Sequence, residues 1–182
     1  MLLLGIALSL PFVQTKIAHY ATNRLNKDFG TNIQVDKVAF SVFGGVKLRG
    51  VLILDHHNDT LISAERLQTN ILNFRAATQS NLRFGRINAE KLNFHMKTYK
   101  GEKTSNLDVF VKAFDNGKPG SGKFRLRAKD LKVANGRFRL TNENAVTAII
   151  LDFKKLNGEL KDFYIKGSDV TANIQKLSLL DH

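Results

Sequence analysis

The chain has 182 residues, 43% of them apolar, which is enough for one ordinary domain with a buried core and excludes general disorder. It has no cysteine, so a disulfide framework and any thiolate metal site are ruled out. Net charge is +12, and +7 of it falls between Lys118 and Arg139, where eight Lys or Arg accompany the single acid Asp130. That bias points to an anionic partner (lipid headgroups, nucleic acid or an acidic protein) or to a solvated outer sheet face.

The opening run MLLLGIALSLPFV carries no charged side chain, and Leu2, Leu3, Leu4, Ile6, Leu8, Leu10, Phe12 and Val13 make it a candidate membrane anchor. A spanning helix needs about 20 apolar residues. No basic segment opens the run, and no A-x-A cleavage pattern follows it. We therefore read it as the tail end of a signal-anchor whose first part lies upstream; a buried core helix is the alternative. In QTKIAHYATNRLNKDFG, Ile17, Ala21, Leu25 and Phe29 recur every fourth residue, with Lys16, Arg24 and Lys27 mostly off that stripe. This predicts an amphipathic helix leaving the bilayer and stopping at Gly30.

Beyond Gly30 the apolar period falls to 2. Ile33 and Val35, then Val38, Phe40 and Val42, alternate with polar neighbours. Val46, Leu48, Leu52 and Leu54 are expected on one face, with Lys47 and Arg49 on the other. Leu92, Phe94 and Met96 alternate with Asn93, His95 and Lys97. Phe124, Leu126 and Ala128 oppose Arg125, Arg127 and Lys129, and Phe138 and Leu140 oppose Arg137 and Arg139. The rhythm continues through Val146, Ala148 and Ile150, then Val170, Ala172 and Ile174, then Leu177 and Leu179. Gly-Gly at 44–45, HHND at 56–59, Asn-Gly at 135–136 and 157–158, NEN at 142–144 and GSD at 167–169 read as hairpin turns. About ten strands in an antiparallel meander follow from these short links. Residues 70–85 and 105–117 break the rhythm and are each expected to hold one or two helical turns, with Ser105 capping the second. Only the N-terminal helix is long enough to cover an apolar sheet face. The sheet must therefore curl on itself, or another apolar material must occupy that face.

GKPGSGKF at 117–124 has the glycine and lysine spacing of a phosphate loop, but Phe124 stands where a Mg²⁺-binding hydroxyl is needed. A strand, not a helix, follows it. It reads as a connector. LDHHND at 54–59 crowds Asp and His, yet His19, His95 and His182 are scattered, and a metal site needs at least three convergent ligands. It reads as a hairpin tip. We find no Gly-x-Ser-x-Gly elbow, no framed pair of catalytic carboxylates and no activated nucleophile. No catalytic, metal or cofactor-binding residue is assigned, and enzymatic activity has no positive support. Nucleic acid competes for the basic sheet, but alternation sets Phe124, Leu126, Phe138 and Leu140 opposite the arginines. A base-binding sheet exposes its aromatics on the charged face.

The order of features resembles the N-terminus of TamB-like proteins, the translocation and assembly module subunit within the AsmA-like group. The resemblance rests on an apolar segment ending near Leu-Pro and an amphipathic helix ending at Phe29-Gly30. GVKLRGVLILD follows from Gly45 to Asp55, then a hairpin tip with Asp59-Thr60-Leu61, then SNLDVFVKAF at 105–114 and FRLRAKDLKVANGRFRLTNEN at 124–144. It implies a chain anchored in the inner membrane of a diderm bacterium, with its bulk in the periplasm. The implied fold is mostly β: a membrane-associated helix, then an elongated, curved antiparallel sheet with one or two short helices. Its apolar groove would conduct phospholipids towards the outer membrane. A role in outer-membrane protein assembly or secretion, alongside an outer-membrane barrel of the assembly type, is the alternative. Membrane phospholipids are the expected partners, with no nucleic acid and no small-molecule substrate. The expected groove lining is Val46, Leu48, Leu52, Leu54, Leu92, Phe94, Met96, Phe124, Leu126, Phe138 and Leu140. The expected organisation is an anchor and amphipathic helix (1–30), a first sheet segment (31–116), a Gly-rich link (117–123) and a continuing sheet segment (124–182). Nothing in the chain matches the family's characteristic C-terminal domain, so the segment reads as truncated.

Overall fold

Pro11 opens the first helix, α1 (Pro11–Phe29), at the position where its missing N–H costs nothing, and Gly30 closes it in the left-handed conformation at φ 64°. The computed structural model describes residues 10–40, 45–71, 81–114, 125–166 and 169–179. Leu2, Leu3, Leu4, Ile6 and Leu8 of the expected anchor, Phe124 of the expected lining and the 117–123 link lie outside these residues, as does Val42. No helix among the described residues is long and apolar enough to cross a membrane.

The β-strands are β1 (Asn32–Phe40), β2 (Gly45–Leu54), β3 (Thr60–Ile71), β4 (Asn81–Glu90), β5 (Asn93–Thr98), β6 (Arg125–Asn142), β7 (Ile149–Lys166) and β8 (Asp169–Ser178). They form one sheet in the order β1-β2-β3-β4-β6-β7-β8, with β5 continuing the line of β4 between β3 and β6. The chain is mostly β, as the alternation predicts. The sheet is mixed, however, rather than antiparallel: β6 runs parallel to both β4 and β5. A parallel return needs a crossover of a dozen or more residues. The segment between β5 and β6 supplies it, and includes the second helix, α2 (Asn106–Ala113). Ser105 caps α2 in a reciprocal box with Asp108, as expected. In the other predicted helical stretch, residues 70–71 and 81–85 are strand and 72–80 lie outside the described residues.

Helix α1 lies along the β1 edge and presents polar side chains to it. The Phe40 N–H donates to Gln14 Oε1 at 2.8 Å, and Thr15 Oγ1 exchanges bonds with Val38 N–H and C=O at 3.2 Å. His19 Nε2 donates to the Val35 carbonyl at 2.7 Å, and the Asn26 amide bonds both Ile33 backbone groups at 2.8 Å. An open strand edge is an unpaired ladder, and these side chains close it. The predicted apolar stripe is correspondingly split. Phe29 packs on Phe114 with ring centroids 5.0 Å apart and the rings tilted by 34°, whereas Ile17 and Ala21 are exposed.

Two further expectations change because the sheet is bent by a transverse line of irregularities. Gly50 (φ 61°), Lys91 (φ 49°), Asn135 (φ 51°) and Lys155 (φ 49°) have left-handed backbones. Between the pairs Arg49↔Arg66 and Val51↔Ala64, the inward face of β2 switches from Val46 and Leu48 to Val51 and Ile53. The same switch occurs in β1, from Val38 to Val35. Leu52 and Leu54 therefore point away from the face that Val46 and Leu48 occupy. Both Asn-Gly pairs, expected as hairpin turns, sit instead inside the 18-residue strands β6 and β7. The side chain of Asn157 accepts the Asn135 N–H at 3.0 Å, so the pairs form bulges where the ladder shifts register. Val146 is exposed in the β6–β7 connection, and β7 begins only at Ile149.

Gly50 is required twice over: its φ is left-handed, and a Cβ there would collide with the Asp36 carboxylate. Gly30 shares the φ but faces open space. We expect Gly50→Ala to cost about 3 kcal/mol and Gly30→Ala about 1 kcal/mol, read from urea denaturation midpoints.

Candidate functional site

Three rows of side chains cross one face of the sheet. The first is Ile33, Ile53, Ile62, Phe94, Phe138 and Phe153, partners in successive strands from β1 to β7. The second is Val38, Leu48, Leu67, Ala89, Val133, Gly158 and Leu177. The third is Phe40, Val46, Thr69, Ile87, Leu131, Leu160 and Ile174, with Thr69 the one polar member. Directly paired residues share a face, so the first two rows are continuous apolar strips across six or seven strands and the third is interrupted only at Thr69. The aromatic end is in ring contact: Phe94–Phe138 centroids lie 5.6 Å apart and Phe138–Phe153 6.4 Å.

Helix α2 sits over the first row. Leu107, Val111 and Phe114 are buried against Leu61, with Ile33, Ile53, Ile62, Phe94 and Met96 packed around them. Leu126 and Ile165, at the far end of β6 and β7, join the same cluster. Twelve residues of straight strand separate Leu126 from Phe138, about 40 Å. The strands thus bend back over the apolar face. Of the expected lining residues, Val46, Leu48, Leu92, Phe94, Met96 and Leu126 lie in the two apolar clusters. Phe138 and Leu140 continue it through their partners Phe94 and Met96. Leu52 and Leu54 do not belong to it.

The opposite face is polar and carries several ion pairs. Arg66 meets Glu90 at 2.9 Å, Lys132 meets Glu159 at 2.7 Å, and Arg137 grips Asp152 through two bonds of 2.8 and 2.6 Å. The Arg137 bond holds the Asp152 carboxyl below its ordinary pKa. The arginines of β6 thus stand opposite Phe138 and Leu140, as alternation predicts. Beside α1, a groove of about 590 Å³ is lined by Phe12, Lys16, Lys37, Lys47 and Arg49 among others. Leu10, Phe12, Ile17 and Tyr20 are exposed along this helix, Phe12 by 62% and Tyr20 by 71%. Val13, the remaining expected anchor residue, is half-buried.

At one end of the sheet the predicted hairpin tip is built on a buried carboxylate. Asp55 Oδ1 accepts the backbone N–H of His57 at 2.9 Å and of Asp59 at 3.0 Å. Its Oδ2 accepts from Asn106 at 2.9 Å and from Tyr99 Oη at 2.7 Å. Burial pushes the Asp55 pKa up, but these hydrogen bonds outweigh it and hold it below its ordinary value. Burial raises the Tyr99 pKa, and its bonds to Asp55 and Asp59 add to that. Lys97 spans Glu143 at 2.9 Å and Asp59 at 3.4 Å, above the Tyr99 ring.

On the outer side of this network His56 and His57 both turn to Glu102. His56 Nε2 lies 3.0 Å from Oε2 and His57 Nε2 lies 2.7 Å from Oε1. Glu102 is far along the chain and sits in a turn that Asn144 pins. The Asn144 amide donates to the Tyr99 carbonyl at 3.2 Å and the Glu102 carbonyl at 2.9 Å, and its Oδ1 accepts Gly101 N–H at 2.8 Å. Sequence reasoning missed Glu102, because GEKT carries no motif and no spacing rule links it to LDHHND. No protein-family model matches this chain, and no curated protein matches it significantly.

Proposed function

We propose that this chain is the N-terminal part of an inner-membrane-anchored periplasmic protein of the TamB-like kind, whose apolar sheet face forms a groove for phospholipid acyl chains. The observation that carries this reading is the set of three rows crossing six or seven strands, apolar but for Thr69, with α1 at the β1 edge and the short α2 over one end among the described residues. Each CH₂ of an acyl chain gains about 0.8 kcal/mol on leaving water, so transfer requires an unbroken dry strip rather than a pocket. The exposed apolar residues of α1 and the adjoining cations fit a membrane surface, where each basic side chain contributes about 1 kcal/mol towards anionic lipid.

The test places photo-crosslinking residues at Leu48 and Phe138 on the apolar rows and at Lys132 and Arg127 on the opposite face. Phospholipid adducts are expected at the first pair and not at the second. Adducts to protein alone, or lipid equally at both faces, would overturn the reading. A second reading has a specific observation in its favour. Strand β8 is paired only with β7 among the described residues and exposes Ile174 and Leu177, with Leu179 exposed just after it. Such an edge accepts an added strand, which suits an envelope interaction module. Protein-only adducts centred on β8 would favour it.

A further inference from the structure

We propose that His56, His57 and Glu102 form a binding site for a divalent late first-row transition metal, with Zn²⁺ as its simplest occupant. Their ligand atoms all lie within 4.8 Å of one another. Two imidazole nitrogens and a carboxylate oxygen are a donor set that suits Zn²⁺ rather than Mg²⁺ or Ca²⁺. Both Nε2 atoms aim at one carboxylate, which can only accept, so without an ion each ring donates its Nε2 proton to Glu102. With an ion in place those Nε2 lone pairs turn inward and the ring protons move to Nδ1. Tetrahedral ligands at about 2.0–2.1 Å from Zn²⁺ sit about 3.4 Å apart. The two imidazole distances to Glu102 Oε1, 3.1 and 2.7 Å, therefore need to open by about 0.3 and 0.7 Å to admit one. The remaining coordination position faces solvent, since His56 and His57 are exposed.

Preorganisation is the second, independent argument. Adjacent residues in a strand point to opposite faces, and only the turn at 55–59 lets two neighbouring histidines converge. Asp55 fixes that turn by accepting two of its N–H groups, and Asn58 completes it with a left-handed backbone at φ 61°. The Tyr99 ring lies 3.8 Å from His57 and 5.6 Å from His56, centroid to centroid, so it backs both imidazoles. Asn144 holds the Glu102 turn from β6's side. Ligands on two pinned loops bind with little ordering cost, and the ion would clip the β2–β3 hairpin to the turn before α2.

The experiment titrates Zn²⁺ into the full chain after chelator treatment, by calorimetry and by thermal unfolding. One Zn²⁺ per chain and a raised Tm are expected. His57→Ala and Glu102→Gln should each weaken Zn²⁺ binding about a hundredfold or more. Glu102→Gln still accepts from His57 through its carbonyl and can donate its amide N–H to His56 Nε2 in the other tautomer, so its metal-free Tm should stay near that of the parent. His19→Ala should leave Zn²⁺ binding unchanged. Absence of uptake, uptake that survives both ligand variants, or an equal response to Mg²⁺ would overturn the proposal.

Discussion

Asp55→Ala is expected to cost about 3 kcal/mol, or about 6–12 °C in Tm for a chain of this size. The carboxylate is buried and accepts four hydrogen bonds, two from backbone N–H groups and two from Asn106 and Tyr99. Asn106 is 1% exposed, so removing its acceptor strands a donor that water does not reach. Tyr99 loses less, because its hydroxyl also reaches Asp59 Oδ2 at 3.0 Å. The pH dependence has a defined sign. The folded Asp55 pKa lies below its unfolded value of about 3.9. Its contribution is therefore complete above that value and is lost as pH falls through the folded pKa. Tm measured against pH should drop at the acid end in the parent and flatten there in Asp55→Asn, which is already less stable at neutral pH. An unchanged acid slope in Asp55→Asn would show that other carboxylates govern acid unfolding.

Phe114→Ala is expected to be comparably damaging, at about 3–5 kcal/mol. Phe114 is 7% exposed and contacts Phe29 of α1 and Phe110 of α2, with centroids at 5.0 and 5.3 Å. It joins both helices to the apolar cluster over the sheet, so truncation leaves a cavity that two helices and a sheet cannot close together. Phe12→Ala is the matching control. Its ring is mostly exposed, and we expect a change within about 0.5 kcal/mol. Urea unfolding of the two variants separates a core role from a surface role for aromatic residues of the same type.

The strand character of most of the chain was legible because alternation is local. So were the Gly30 stop of α1, the Ser105 cap, the 56–59 hairpin tip and the separation of arginines from Phe138 and Leu140. The apolar face of the sheet was legible only within each straight stretch. Leu52 and Leu54 were assigned to the wrong face because the count of two was carried through Gly50, where the backbone turns left-handed and the parity resets. The Asn-Gly pairs misled for a related reason. A residue able to adopt positive φ serves a bulge as readily as a hairpin, and only the neighbouring strand distinguishes them.

The sequence by itself determined most of the strand and helix segments, since propensity, capping and period are properties of a few consecutive residues. Tertiary structure alone decided the parallel docking of β6 on β4 and β5, because a crossover leaves no local trace of where it returns. It decided that α1 turns Gln14, Thr15, His19 and Asn26 onto the β1 edge, since unpaired ladder groups outbid the apolar stripe there. It also brought Glu102 to His56 and His57: side chains 45 residues apart meet through the fold, and no spacing along the chain encodes that distance.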